Sequence, residues 1–126
     1  MLIEIDFNSE EAFYIQLRNQ IIIGIAMNQY QEGDSLPSVR QLADRVGINM
    51  HTVNKAYSVL RQEGFIRLDR RKGAVIALDT DKLRAMEELQ TNLRVDLARA
   101  VCKGVSEDEV HQMVKSIFEE METRES

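Results

Sequence analysis

The residues best able to do chemistry in this chain are hydrogen-bonding and cationic, and they fall in three short groups. Asn49, Met50, His51, Thr52, Asn54 and Lys55 stand almost side by side. Asparagine amides can read adenine bidentately, a threonine hydroxyl or a backbone N–H can bind phosphate, and Met50 can meet a thymine methyl. Upstream, Arg40 carries a planar fork that grips a phosphate or a guanine edge. Downstream, Arg70, Arg71 and Lys72 precede Gly73. A cationic run of that kind can meet a nucleic-acid backbone or a minor groove, and the glycine allows close approach or a positive φ. The chemistry these groups share is recognition of double-stranded DNA.

Enzymatic chemistry finds little support. His51 and His111 lie 60 residues apart, and Cys102 is the single cysteine. No CxxC, HExxH or Gly-rich phosphate loop occurs. Cys102 falls at apolar helical spacing, which predicts burial rather than a nucleophile or ligand. The methionines of the last helix read as packing. No catalytic residue, no metal ligand and no cofactor is expected.

The bulk numbers fit a globular protein: 126 residues, 44% hydrophobic and 29% charged. The longest apolar run, Ile21 to Met27, is too short to span a membrane and lies inside a helical pattern. The first residues lack a basic start and a small-residue cleavage site, so no signal peptide is expected. One cysteine excludes an internal disulfide, which fits a reducing cytoplasm. The net charge of −5 is unevenly placed. Residues 40–73 hold eight basic and three acidic side chains, a balance of +5, whereas residues 79–126 hold seven basic and twelve acidic ones, a balance of −5. Screening limits charge effects to about 10 Å, so DNA affinity follows the local basic face.

The elements that must position these groups can be read from periodicity. Leu2 to Phe7 alternates, which predicts a short half-buried strand. Ser9 is placed to cap a first helix, with Glu10 and Glu11 in its first turn and Tyr14, Leu17, Ile21, Ile22 and Ile25 on its apolar stripe. Gln31 to Asp34 reads as a turn. Pro37 is the only proline, and a second helix is predicted right after it. Ser38 and Gln41 have capping-box spacing there; Val39, Leu42, Ala43 and Val46 form the buried face, and Gly47 ends it. Asn49 then caps a third helix running to about Glu63. Val53, Ala56, Tyr57 and Leu60 form its buried stripe, and positions 50, 51, 54, 55 and 58 point the other way. Two short helices joined by a Gly-containing turn present a recognition helix to the major groove. Phe65–Asp69 and Ala74–Leu78 read as two strands connected by the four residues Arg70 to Gly73. The sum is a winged helix-turn-helix.

A second segment begins at Asp79. One helix is predicted from about Lys82 to Cys102, with a stripe of Leu83, Met86, Leu89 or Gln90, Leu93, Leu97, Ala100 and Val101. After the turn at Lys103-Gly104-Val105, Ser106 and Glu109 repeat the capping-box spacing. The last helix carries Val110, Met113, Val114, Ile117, Phe118 and Met121 on one face. A two-helix hairpin leaves apolar surface uncovered unless it packs on another body, and a symmetric dimer would bury it. The dimerisation residues expected are Leu89, Leu93, Leu97, Val110, Val114, Ile117 and Phe118. The segment is too small to enclose an ordinary ligand pocket unaided, so a small-molecule effector would belong at the dimer interface.

The string Tyr14-x-Gln16-Leu17-Arg18, then Gly33-Asp34-x-Leu36-Pro37-Ser38-Val39-Arg40-x-Leu42-Ala43, resembles the GntR family of bacterial transcription regulators. So do Val46-Gly47-Ile48-Asn49, Thr52-Val53-x-x-Ala56-Tyr57, Leu60 and Glu63-Gly64-Phe65-Ile66. The likeness covers residues 1–78, and the short tail resembles the YtrA-type subgroup. It implies a dimeric repressor, often of its own operon and neighbouring transporter genes. It also implies DNA contacts at Arg40, Asn49, Met50, His51, Thr52, Asn54 and the wing at Lys72-Gly73. Met50-His51 departs from the small polar or basic pair common there.

The expectation is therefore a mainly α protein with a small β component (α+β). Residues 1–78 would form a winged helix-turn-helix DNA-binding domain, and 79–126 a C-terminal two-helix dimerisation hairpin. The expected partners are a duplex operator and a second copy of the chain, with no membrane. The alternative is a winged-helix module that binds a protein and no DNA, against which the basic balance of residues 40–73 weighs.

Overall fold

The computed structural model describes residues 3–122. Leu2, the first residue of the expected strand, and the last four residues of the expected second segment lie outside them. The chain forms two compact units that part between Asp79 and Thr80. The first contains α1 (Phe13–Ala26), α2 (Val39–Val46), α3 (Met50–Gln62), β1 (Ile66–Asp69) and β2 (Gly73–Ile76). The second contains α4 (Lys82–Cys102) and α5 (Glu107–Glu122).

The expected N-terminal strand does not form. Residues 3–6 are extended, and their alternation is real: Ile3 and Ile5 pack against the core while Glu4 and Asp6 face solvent. Their backbone bonds go to two helical side chains instead of a neighbouring strand. Gln16 accepts from Asp6 N–H at 2.9 Å and donates to Asp6 C=O at 3.1 Å. Gln20 does the same for Glu4. Two glutamines four apart on a helix advance about 6 Å and two extended residues about 6.7 Å, so the registers match.

The same buried Gln16 corrects the start of α1. Its amide also holds Glu11 C=O at 3.0 Å, which folds residues 6–11 back as a loop. The Ser9 hydroxyl accepts from Glu11 N–H inside that loop, and α1 begins at Phe13 with Ala12 at its N-cap and no side-chain cap.

The helix-turn-helix forms as its local signals dictate. Ser38 Oγ accepts from Gln41 N–H at 3.1 Å, and Gln41 Oε1 accepts from Ser38 N–H at 3.0 Å. Gly47 closes α2 at φ +76°, a left-handed conformation that a Cβ would strain. Asn49 Oδ1 then caps α3 by accepting from His51 N–H at 2.7 Å.

The core gathers Leu17 and Ile21 of α1, Leu42 and Ala43 of α2, Val53, Ala56, Tyr57 and Leu60 of α3, and Ile66 and Ile76 of the hairpin. Each fully buried aliphatic side chain contributes roughly 1.5–3 kcal/mol. Tyr57 also spans the motif, its hydroxyl donating to Pro37 C=O at 2.7 Å.

The hairpin is antiparallel with Asp69 opposite Gly73, so the connection is three residues rather than four, and Gly73 belongs to β2. β1 begins at Ile66, one residue later than expected, and β2 ends at Ile76, two residues earlier. The chain at and just past the end of the predicted turn, Gln31 to Asp34, pairs with β2. Ser35 bridges Val75, and Leu36 N–H bonds Ala74 C=O while Ile76 N–H bonds Asp34 C=O. This short edge ties the approach to α2 to the second strand of the wing.

In the second unit, Asp81 caps α4 and Ser106 with Glu109 forms the expected capping box on α5. Between the helices, Val105 N–H reaches Ala100 C=O and Gly104 N–H reaches Val101 C=O, the paired bonds of a Schellman turn. The apolar stripes of α4 and α5 are not closed on each other. Leu89, Leu93, Leu97, Val114, Ile117 and Phe118 are all exposed, and Val110 is half-buried. Cys102, expected to be buried, is exposed as well. Its apolar spacing marks a face of α4 that a single chain leaves open. Among the described residues, no helix is long and apolar enough to cross a membrane.

Candidate nucleic-acid interface

The first half of α3 carries the site. Val53, Ala56 and Tyr57 anchor the helix in the core, and the 3.6-residue period then turns Met50, His51, Asn54 and Lys55 outward. Met50 is 45% exposed, which leaves an apolar side chain free at the surface of the helix. Asn49, Met50, His51 and Asn54 share one shallow depression with Val39 of α2. The start of α2 and the start of α3 therefore open on the same concavity. Arg40, one residue after Val39, is exposed and pairs with no acidic side chain among the described residues.

Asn49 has a divided role. Its Oδ1 is committed to the cap, which leaves its amide N–H groups as donors. Thr52 is half-buried. Lys55 is exposed, and its Nζ lies 4.2 Å from the centroid of the Tyr14 ring, at the start of α1. Ala12, Phe13, Tyr14, His51, Thr52 and Lys55 line a second open depression there. Sequence reading placed Tyr14 only in the apolar stripe of α1 and missed this contact. The signal was an aromatic residue at a helix start, which by itself names no partner.

Arg70, Arg71 and Lys72 occupy the exposed tip of the wing. The carboxylate of Asp69 shapes that tip from within. Its Oδ1 accepts from Arg71 N–H at 2.8 Å and Lys72 N–H at 3.0 Å, and Oδ2 pairs with Arg67 at 3.4 Å. The backbone N–H of Lys72 and then of Arg71 stabilise the charged form most, so the carboxyl is held below the usual aspartate range. Gly73 follows at φ +75°, which completes the three-residue turn. The structure thus brings Asn49, Met50, His51 and Asn54 to one concavity, with Arg40 one residue beyond the Val39 that borders it, and sets the wing cations on a braced turn springing from β1, which packs on α3.

Tyr57, buried beneath the site, is held neutral well above the usual tyrosine range. Burial is the main cause, the neighbouring Tyr30 adds to it, and Arg45 opposes it. Among the described residues, no group of three or more His, Cys, Asp or Glu side chains is placed to hold a metal ion.

Comparison with known proteins adds to this geometry. A family model described as "Bacterial regulatory proteins, gntR family" matches residues 13–76. The HTH-type transcriptional repressor YtrA of Bacillus subtilis (strain 168) is 32% identical over 120 residues, covering 92% of this chain and 92% of that protein. Among solved structures, one described as a transcriptional antiterminator from Listeria monocytogenes EGD-e superimposes with a TM-score of 0.86 at 30% identity, covering 96% of this chain and 92% of that one. A second, YtrA from Sulfolobus acidocaldarius, described as a GntR-family transcription factor, gives a TM-score of 0.67 at 38% identity, covering 81% and 99%.

Proposed function

Because this chain belongs to the GntR family, and is therefore a transcription regulator with a DNA-binding domain rather than an enzyme, we propose that it represses transcription by occupying a palindromic operator as a homodimer. The observation that carries this reading is the exposed, core-anchored first half of α3, opening on one concavity with the start of α2. Arg40, Asn49, Met50, His51, Thr52, Asn54 and Lys55 contact one operator half-site. Arg70, Arg71, Lys72 and Gly73 bring the wing to the flanking backbone or minor groove.

The dimer forms through residues 79–126. Its support is the uncovered apolar face of α4 and α5, which includes Leu89, Leu93, Leu97, Val114, Ile117 and Phe118. A two-fold axis through that face presents two recognition helices to two half-sites. Repression, rather than activation, rests on the likeness to the Bacillus subtilis repressor. The target includes the protein's own operon and neighbouring transporter genes. A small-molecule effector would bind at the dimer interface and act by shifting the relative setting of the two DNA-binding units.

The test is binding to a labelled fragment of the protein's own promoter, against scrambled DNA, over a salt series. Sequence-preferring binding with a steep negative salt slope supports the reading. Equal binding to both DNAs, or none, overturns the operator assignment.

A further inference from the structure

The contact between Lys55 and Tyr14 divides the labour on the recognition helix. Lys55 sits on the outward face of α3, beside Asn54, where a long cationic side chain would ordinarily be free to sweep the groove. Its ammonium instead lies 4.2 Å from the centre of the Tyr14 ring, on another helix. That is well inside the roughly 6 Å over which a ring face attracts a cation. Tyr14 is half-buried and packs against the core, so its ring is a fixed platform rather than a second mobile partner. No carboxylate pairs with Lys55 among the described residues, so its charge is positioned without being neutralised.

We propose that Tyr14 is a positioning residue for DNA binding: its ring holds Lys55 at the α1 edge of the recognition helix, where Lys55 serves as a phosphate contact and not as a reader of bases. The inference rests on the DNA-binding reading above and deepens it. Base reading is then left to Met50 and Asn54, which line the other depression, toward α2, and to His51, which borders both. Two consequences follow from the physical chemistry. An ammonium on a phosphate adds affinity without sequence preference and adds to the salt dependence. A lysine ordered before binding loses less rotamer freedom on contact, so removing the platform weakens binding even though the charge remains.

The experiment uses the full chain and a duplex that the protein itself selects from a random-sequence pool. Lys55→Gln should lower the salt slope by about 0.9, the loss of one phosphate contact, and weaken binding to every base-substituted version of the duplex by the same factor. Tyr14→Leu should weaken binding about two- to fivefold, the worth of an exposed cation–π contact. Tyr14→Phe should bind as the unmodified protein does. In a Lys55→Gln background, Tyr14→Leu should have no further effect. In the free protein, the Lys55 ε-methylene protons should show an upfield ring-current shift that Tyr14→Phe retains and Tyr14→Leu loses.

The assignment is overturned if Lys55→Gln reorders the preference among base-substituted duplexes. It also falls if Tyr14→Leu costs the same with and without Lys55, which would make the ring purely structural. Failure of the DNA reading looks different: no duplex is enriched from the pool, whatever the ring-current shift shows.

Discussion

Arg40 and Tyr57 show how single side chains divide recognition from support. Arg40 is exposed at the start of α2, beside the concavity formed with α3, and adds nothing to the core. Arg40→Ala should therefore weaken operator binding by about 1–3 kcal/mol while leaving the melting temperature almost unchanged. Parallel binding and thermal-unfolding measurements check this, and normal binding would remove Arg40 from the interface. Tyr57 is the reverse case. It is 5% exposed, and its hydroxyl ties α3 to the chain just before α2. Tyr57→Phe should cost about 1 kcal/mol of folding stability, because the Pro37 carbonyl loses its partner. The phenol also makes stability pH-dependent. Its pKa is raised on folding, so the folded state keeps a proton that the unfolded chain releases above about pH 10. The contribution is complete below that value and falls as pH rises beyond it. Alkaline unfolding of Tyr57→Phe should show a shallower pH dependence than that of the unmodified protein.

At the scale of elements, the wing is the part whose shape depends on one carboxylate. Asp69 collects the N–H groups of Arg71 and Lys72, so three neighbouring cations sit on a turn that would otherwise be free to fray. Asp69→Ala should leave the helical core folded and weaken DNA binding through a disordered wing. Amide exchange at residues 70–72, read beside operator affinity, tests both halves; unchanged protection in the variant would refute the brace. The acid dependence has the opposite sign to that of Tyr57. A carboxyl lowered on folding supports the turn at pH values above the ordinary aspartate range near 3.9, and the support is lost as pH falls through the folded value. The N-terminal segment makes a related point. It has the alternation of a strand but pairs with the Gln16 and Gln20 side chains, so periodicity named its buried face and not its partner.

For the whole molecule, assembly turns on the second unit. A single chain leaves the apolar stripe of α4 facing solvent, with Leu83 at 70% and Leu89 at 57% exposure. Under the dimer reading, Leu93→Asp should not disturb the fold of the chain, since Leu93 is exposed in it. It should shift the protein to monomers in sedimentation velocity and cut affinity for a two-half-site operator far more than for a single half-site. A dimer that persists in Leu93→Asp would place the interface elsewhere.

The sequence by itself determined the helix-turn-helix, the outward face of α3 and the cations of the wing. Their signals are local: the reciprocal bonds of Ser38 and Gln41, the left-handed Gly47, the Asn49 cap and the 3.6-residue period each act within a turn or two of chain. Only the tertiary structure decided which distant groups meet. Ser35 bridging Val75 and Tyr14 lying under Lys55 join segments 40 and 41 residues apart, and Gln16 replaces a strand partner for residue 6, ten residues away. A side chain's type states what bonds it can make. Packing of the core selects which of the available partners comes within reach, and that choice is not written at either position alone.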